Sequence, residues 1–551
     1  MATLVAQRIR GWLPRLGATA SVEDCAVIGV LVCFVAGLYS LLPKHGDIWW
    51  PDASRHALNG AFVLDFLNQL PLRHPVDFAY AYYRQYPALT IGFYPPLFSV
   101  ALAGFYALFG VCEAAALLCE LAFLLLLACG AYRLSRHWLD PGPALGVSLL
   151  VIGAPELLYW GRQIMLDIPA YAFLIWSAEF YLRYLKGAAA RWLYLAVLFT
   201  VAAVYTKYNA IFFIAVMAVA LPCVRGWRAL FDPSILRAAI LGALLMLPVA
   251  AIFLVFARYN LLQASAAPVA PATAPGVAAF TYYAAVLPAV LSWPTVFLAC
   301  AYVVLLPFIP ALRLNRVEAV LLIGWVVIGY AFYGAIAVKE PRHILFITYP
   351  LPLAAMLLLD RLFARVAWRS LLMLALPIGV FATSLITRPI PYMTGLRESA
   401  EIVARLSPPD TNVAFWGHLD GSFIYGMRAY SGRPDLGVVR LDKIMFHDVA
   451  VYFEAGLKEN ELTPARITDQ IADLHAQYVV VQTVYLADHP VVEALQAAVH
   501  SEKFQEVQRI AMSSNYSFSD VSELVIYRLV ADVPRGRVAP PMQIKLLDKT
   551  L

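Results

Sequence analysis

Apolar runs of about twenty residues, long enough to cross a bilayer as helices, recur along this chain between short polar and basic segments. They fall at 25–43, 142–160, 168–186, 192–206, 208–224, 236–258, 291–311, 317–337, 343–362 and 369–387. A longer stretch, 95–134, has room for two spans, or for one span and a helix that does not cross. Loop charge decides between them, because Lys and Arg collect in cytoplasmic loops. Arg8, Arg10 and Arg15 place the N-terminus inside, so the first span delivers 44–93 to the outside. The basic loops at Arg133/Arg136, Lys186/Arg191, Arg225/Arg228/Arg237, Arg313/Arg316 and Arg361/Arg365/Arg369 then fall inside only if 95–134 crosses once. One crossing is therefore expected, with the Pro95-Pro96 half at the outer interface or as a tilted half-helix. The count becomes about eleven spans, with about thirteen as an upper bound.

From 388 onward the pattern changes. Strand-like runs (412–416, 477–483, 523–530) alternate with helical ones (464–476, 491–500), which reads as a small α/β domain. The predicted fold class is mostly α. Residues 1–387 form a polytopic transmembrane helical bundle with interfacial helices in its first outer loop, 44–93. Residues 388–551 form a soluble α/β domain outside the cytoplasm. Outer loops are also expected near 160–168, at 259–290 (an Ala/Pro-rich segment) and at 338–343.

Composition agrees with the pattern. Hydrophobic residues make up 62% of the 551, and charged residues 14%. One globular core cannot hide that much apolar surface. The net charge is +5 and no basic run resembles a nucleic-acid patch, so nucleic-acid partners are excluded. The seven Cys lie in or beside apolar segments and have no CxxC or Cys/His metal spacing. The basic N-terminus leads into an apolar run with no A-x-A-like site after it, which reads as a retained signal anchor. The Ala/Pro-rich composition and the charge layout suit a bacterial inner membrane.

Candidate chemistry gathers on the outer face. Asp52 follows Trp49, Trp50 and Pro51 at the head of an amphipathic segment, 53–67. Asp167 opens a later span, followed by Ile168 and Pro169. Each has an ordinary reading as a helix cap, and Trp49 and Trp50 suit a membrane interface. Topology weighs against caps alone, since both acids sit at the bilayer edge on one face, where ionisable groups are costly and tend to be functional. Arg55, His56, Arg84, Arg162, Lys207, Lys339, Arg342 and His343 share that face, with Glu340 beside them. Snorkelling and interfacial anchoring are the ordinary readings of Lys207 and Arg342. Together, carboxylates can deprotonate a hydroxyl, and cations can hold a departing phosphate.

The motifs, taken in order, resemble those of the GT-C superfamily of membrane glycosyltransferases, in particular the protein O-mannosyltransferase-like and lipid A aminoarabinose transferase-like members. They are PDASRHA after the first span, FYPPLFSVAL, MLDIPA, the TKY turn and KEPRHILFITYPLPLA, within roughly residues 25–360. The resemblance implies a polyprenyl-phosphate-linked sugar donor and an inverting transfer to a lipid, glycan or protein acceptor at the outer face. Asp52 matches the catalytic base and Asp167 the second-loop acid. Some relatives have Lys before the PPL motif to contact the donor phosphate. Here that position is Tyr94, so Lys207, Arg342, His343 and, more weakly, Arg84 are the substitutes, with Arg55, His56, Arg162 and Glu340 available to the acceptor. No cofactor is certain. A divalent metal lacks its paired acids, since Ala53 follows Asp52. A lipid-linked glycan ligase or polymerase is the alternative in the same chemistry, and a secondary transporter is the alternative outside it. A transporter should carry charges deep within its spans, where this chain has few beyond Glu113, Glu120 and Glu179. The sugar, the acceptor and the prenyl length are not legible.

Overall fold

The computed structural model describes residues 22–255, 277–366, 368–448, 458–516, 523–538, 543–544 and 549–550. The basic N-terminal segment and most of the Ala/Pro-rich loop lie outside the described residues.

The described residues open with α1 (Val22–Leu41), then α2 (Pro51–Gln69) and α3 (Pro75–Gln85) of the first loop. Next come α4 (Leu97–Phe109), α5 (Glu113–Ser135), α6 (Pro141–Gly153), α7 (Pro155–Trp160), α8 (Asp167–Leu185) and α9 (Arg191–Thr206). The bundle continues through α10 (Phe212–Arg225), α11 (Pro233–Val255), α12 (Val277–Leu291), α13 (Trp293–Leu305), α14 (Arg316–Ala335), α15 (Pro350–Leu362) and α16 (Arg369–Thr387).

Among the described residues, five helices (α1, Tyr208–Arg225, α5, α11 and α14) are long and apolar enough to cross a membrane, and up to seven spans result if each bent pair counts as one. The expectation of about eleven also counts shorter or more polar helices. Among these, α6 and α9 hold 13 and 16 residues, and α8 carries Asp167, Glu179 and Arg183. The stretch 95–134 is two helices of unequal length joined at Gly110, and the shorter, α4, packs on α2. The run 142–160, read as one span, is broken at Ala154 because Pro155 has no N–H to continue the ladder. The run 343–362 begins as a 3-10 turn, Pro341–Ile347, bent by 58° from α15. Gly329 of α14 allows that turn to approach, since a Cβ there would collide with Ile347.

Beyond α16 lie α17 (Leu396–Leu406), β1 (Asn412–Trp416), α18 (Asp420–Ala429), β2 (Gly437–Arg440), α19 (Pro464–Asp473), β3 (Ala476–Gln482), α20 (Pro490–Val499), β4 (Phe504–Ala511) and β5 (Glu523–Leu529). The sheet order is β2-β1-β3-β5-β4. The first three strands are parallel, and β5 is antiparallel to both β3 and β4. Alternation along the strands gives each face its own layer. Val413, Phe415, Val480 and Ile526 face α17 and α18 and join the core of the bundle. Ala414, Trp416, Val479, Val481 and Val525 pack against Ile467, Ile471, Val492 and Leu495 of α19 and α20 in a second core.

Candidate active site

Three local breaks in helical structure point side chains at one place. At the first, Trp50 precedes α2 with an extended backbone, and Pro51 begins the helix. Asp52 is therefore a first-turn residue, not the cap, and no side-chain cap bond forms there. Asp167 likewise opens α8 without a side-chain cap bond. At the second break, α9 ends at Lys207, whose extended backbone (φ −149°, ψ 124°) precedes a 3-10 turn. The third is the Pro341–Ile347 turn, which carries Arg342 and His343.

Arg342 is the hub. Its Nη2 lies 3.6 Å from Asp52 Oδ2, and its Nε is 2.5 Å from Glu340 Oε2. Its guanidinium stacks over Trp160 at 4.8 Å and Trp50 at 5.9 Å, contacts that favour a cation on an aromatic face. The Arg342 side chain is 9% exposed, whereas Asp52 is 31% exposed and so open to a partner. The Tyr94 hydroxyl reaches Asp52 Oδ1 at 3.5 Å, and the His56 ring meets Tyr94 edge-on at 4.7 Å. Beside them, Lys207 Nζ pairs with Asp167 Oδ1 at 2.5 Å and lies 5.8 Å from the Phe346 ring centre.

Burial pushes the Asp52 carboxyl up, but the Arg342, Arg55 and Lys207 charges outweigh it and hold the group below its ordinary value. Asp52 is therefore ionised at neutral pH. Burial lowers His56 to about 4, against the opposing pull of Asp52, so its ring is neutral there. Among the described residues, Asp167 Oδ2, His343 Nδ1 and the Trp50 indole N–H are buried in the cluster without a hydrogen-bond partner. Unsatisfied buried polar atoms ask for a partner, and these lie beside the cations.

Other candidates go elsewhere. Arg55 donates to the Pro51 carbonyl and pairs with Asp420 of α18 at 3.3 Å. Arg162 spends its donors on the Leu158 and Arg388 carbonyls, at 2.7 and 2.6 Å. Lys339 is held by the carbonyls of Tyr333, Gly334 and Ile336. Arg84 is exposed in the last turn of α3, outside the cluster. Trp49 is not an interfacial anchor. It is buried, with its ring 4.6 Å from Tyr516. Among the described residues, no group of three His, Cys, Asp or Glu stands ready to hold a metal ion.

The residues after α16 clamp the first loop. Arg428 grips Asp65 with two bonds of 2.8 and 2.5 Å. Asp420 joins Arg55 to Arg440, the latter at 2.8 Å. The Arg397 amide donates to Asp47 at 2.6 Å, and the Tyr106 and Tyr425 hydroxyls share a 3.1 Å bond. Sequence reasoning missed these partners, along with the Trp50–Trp160 bracket around Arg342. The adjacent WW and YWGR segments were its only trace.

Residues 94–256 match the sequence profile of the dolichyl-phosphate-mannose-protein mannosyltransferases. Comparison with curated proteins gives no match. Among solved structures, ArnT from Cupriavidus metallidurans bound to undecaprenyl phosphate is similar with a TM-score of 0.59 at 15% identity, over 92% of this chain and 99% of that one. The archaeal oligosaccharyltransferase AglB from Archaeoglobus fulgidus, in complex with an inhibitory peptide and a dolichol-phosphate, is similar with a TM-score of 0.50 at 11% identity, over 91% and 75%. The arabinofuranosyltransferase AftD from Mycobacteria gives 0.52 at 14% identity, over 94% and 42%.

Proposed function

The chain has the GT-C glycosyltransferase fold, and on that premise we propose that it is an inverting glycosyltransferase using a polyprenyl-phosphate-linked sugar. The observation that carries the reading is the ionised, partly exposed Asp52 beside the Arg342 guanidinium, with Lys207 and Asp167 alongside. Asp52 accepts the proton of an acceptor hydroxyl as that oxygen bonds to the anomeric carbon. The bond from that carbon to the phosphate oxygen breaks on the opposite face, and the polyprenyl phosphate leaves with the electron pair. One displacement inverts the centre without a covalent enzyme intermediate. Arg342 and Lys207 stabilise the leaving charge, which replaces the missing Lys at Tyr94. Asp167 offers its free oxygen to a sugar hydroxyl, and His343 offers its free ring nitrogen to the sugar or the phosphate.

The topology of this reading keeps about eleven crossings, with the N-terminus cytoplasmic and the α/β unit on the outer side of a bacterial inner membrane. The acceptor is a lipid, a glycan or a protein. The likeness to an oligosaccharyltransferase keeps transfer of a whole lipid-linked glycan as the second reading.

The test is turnover of Asp52→Asn with prenyl-phosphate sugars in detergent. Transfer should fall by at least about 100-fold, the lower range for general base catalysis, while the protein stays folded and inserted. Wild-type turnover in that variant removes Asp52 from the mechanism. Mass spectrometry of lipid that co-purifies with the variant reports sugar and prenyl length together.

A further inference from the structure

We propose that the end of the bundle opposite Asp52 holds a binding site for the phosphate-bearing headgroup of an anionic phospholipid. A cavity of about 340 Å³ lies there, walled by His137 and Trp138 after α5, the loop 311–315, Glu318 of α14, and Leu357 and Arg361 of α15. Helix direction separates it from the candidate active site. The 20 residues of α14 start at this cavity and end just before the Glu340–Arg342 segment, a rise of about 30 Å.

The charge of the cavity is one-sided. Its carboxylate, Glu318, is already neutralised by Lys186 at 2.5 Å. Among the described residues, Arg313 and Arg361 have no carboxylate partner, and the Arg313 guanidinium donates to the Pro307 carbonyl, at 3.1 Å. The Trp138 indole N–H is buried in the wall with no hydrogen-bond partner. The N-terminus of α14, capped by Asn315 at 3.0 Å, adds partial positive charge. Two guanidinium groups, a free indole donor and a helix start around one volume suit phosphate oxygens.

The rim favours a lipid over free phosphate. Phe308 and Leu362, a few residues from Arg313 and next to Arg361, are 76% and 56% exposed. Large apolar side chains flanking a basic cavity give acyl chains a place beside the headgroup. By the loop charges, this is the cytoplasmic leaflet, where anionic lipids meet basic pockets between helices.

Native mass spectrometry of the full-length protein in neutral detergent tests this, with phosphatidylglycerol, phosphatidylcholine or inorganic phosphate added. The wild type should retain phosphatidylglycerol roughly ten-fold better than phosphatidylcholine. Trp138→Phe and Arg361→Gln should each lower that retention severalfold. Arg342→Gln, at the other end of the bundle, should leave it unchanged. Trp138→Phe keeps an aromatic ring in the wall but removes the pyrrole ring together with its N–H, so the melting temperature of each cavity variant is measured beside retention, and a retention loss at an unchanged melting temperature separates a lost donor from misfolding. Equal retention of the two lipids overturns the proposal, as does full retention in both cavity variants. Displacement of the lipid by millimolar inorganic phosphate overturns the lipid assignment and leaves a phosphate site.

Discussion

Lys207 places its ammonium 2.5 Å from the Asp167 carboxylate, from a backbone that has left its helix to do so. The pair is nearly buried, with Asp167 1% and Lys207 15% exposed. Desolvating two charges is costly unless each satisfies the other. A phosphate arriving at Lys207 competes with Asp167 for the same ammonium.

Lys207→Met should therefore cost about 10²–10³-fold in kcat and raise the KM for the lipid donor. It also strands the Asp167 charge, so its stability should fall. Adding Asp167→Asn should recover thermal stability without recovering turnover. A double-mutant cycle read by both assays separates the structural share from the chemical share. Full turnover in the double variant would falsify a phosphate role for Lys207.

The pH profile should be flat where these groups are usually examined. Asp52 is held below the ordinary Asp value of about 3.9, so the acid limb of kcat/KM lies in that low range. His56, lowered to about 4, does not titrate near neutrality. Asp52 contributes stability above its unfolded value, and this is lost only as pH falls through the lower folded value. A step near pH 6.5 that disappears in His56→Gln would contradict the assignment.

Asp47 should show the opposite sign. Burial raises it to about 6, although the Arg397 and Gly395 amides pull it down. Its folded value exceeds the unfolded one, so its contribution is present at low pH and lost as pH rises through about 6. Melting temperature should decline from about pH 4 to just above pH 6 and level off beyond it, and Asp47→Asn should flatten the decline.

The tie from α18 to α2 should matter for turnover at a distance. Asp420→Asn weakens the Arg55 and Arg440 pairs, and Asp65→Asn removes the carboxylate charge gripped by Arg428. Hydrogen bonds to charged groups contribute about 1.5–3 kcal/mol each, so both variants should melt earlier. Asp420→Asn should also lower kcat, because Arg55 neighbours the first turn that carries Asp52. An unchanged kcat with a lowered melting temperature would limit the tie to stability.

Gly60 sets the spacing of α2 on α4. A Cβ at Gly60 would stand 2.6 Å from Leu102 Cγ. Gly60→Val should cost about 1–3 kcal/mol by overpacking, checked by thermal unfolding, and Leu102→Ala should restore part of it.

Much of the site was legible because polar residues in an apolar chain stand out. Asp52, Asp167, Lys207 and Arg342 are visible as interruptions, and loop charge put them on one side. Their roles as caps were equally legible from spacing, and only the absence of cap bonds decided against that. Arg55 and Arg162 are plain in the chain as cations, but their engagement elsewhere is not, since their partners Asp420 and the Arg388 carbonyl are hundreds of residues away. Periodicity carries no such pairing. The break at Pro155 was visible as a residue, yet the continuous apolar run around it hid the bend.

Arg55 and Asp420 are 365 residues apart, and Asp65 and Arg428 are 363 apart. During synthesis, the loop that carries Asp52 emerges long before its clasps exist. Until α18 has formed and docked, that loop waits without them. Completion of the candidate site is thus timed by the chain's last quarter, and a chain cut short after α16 would leave the helical bundle with that site unfinished.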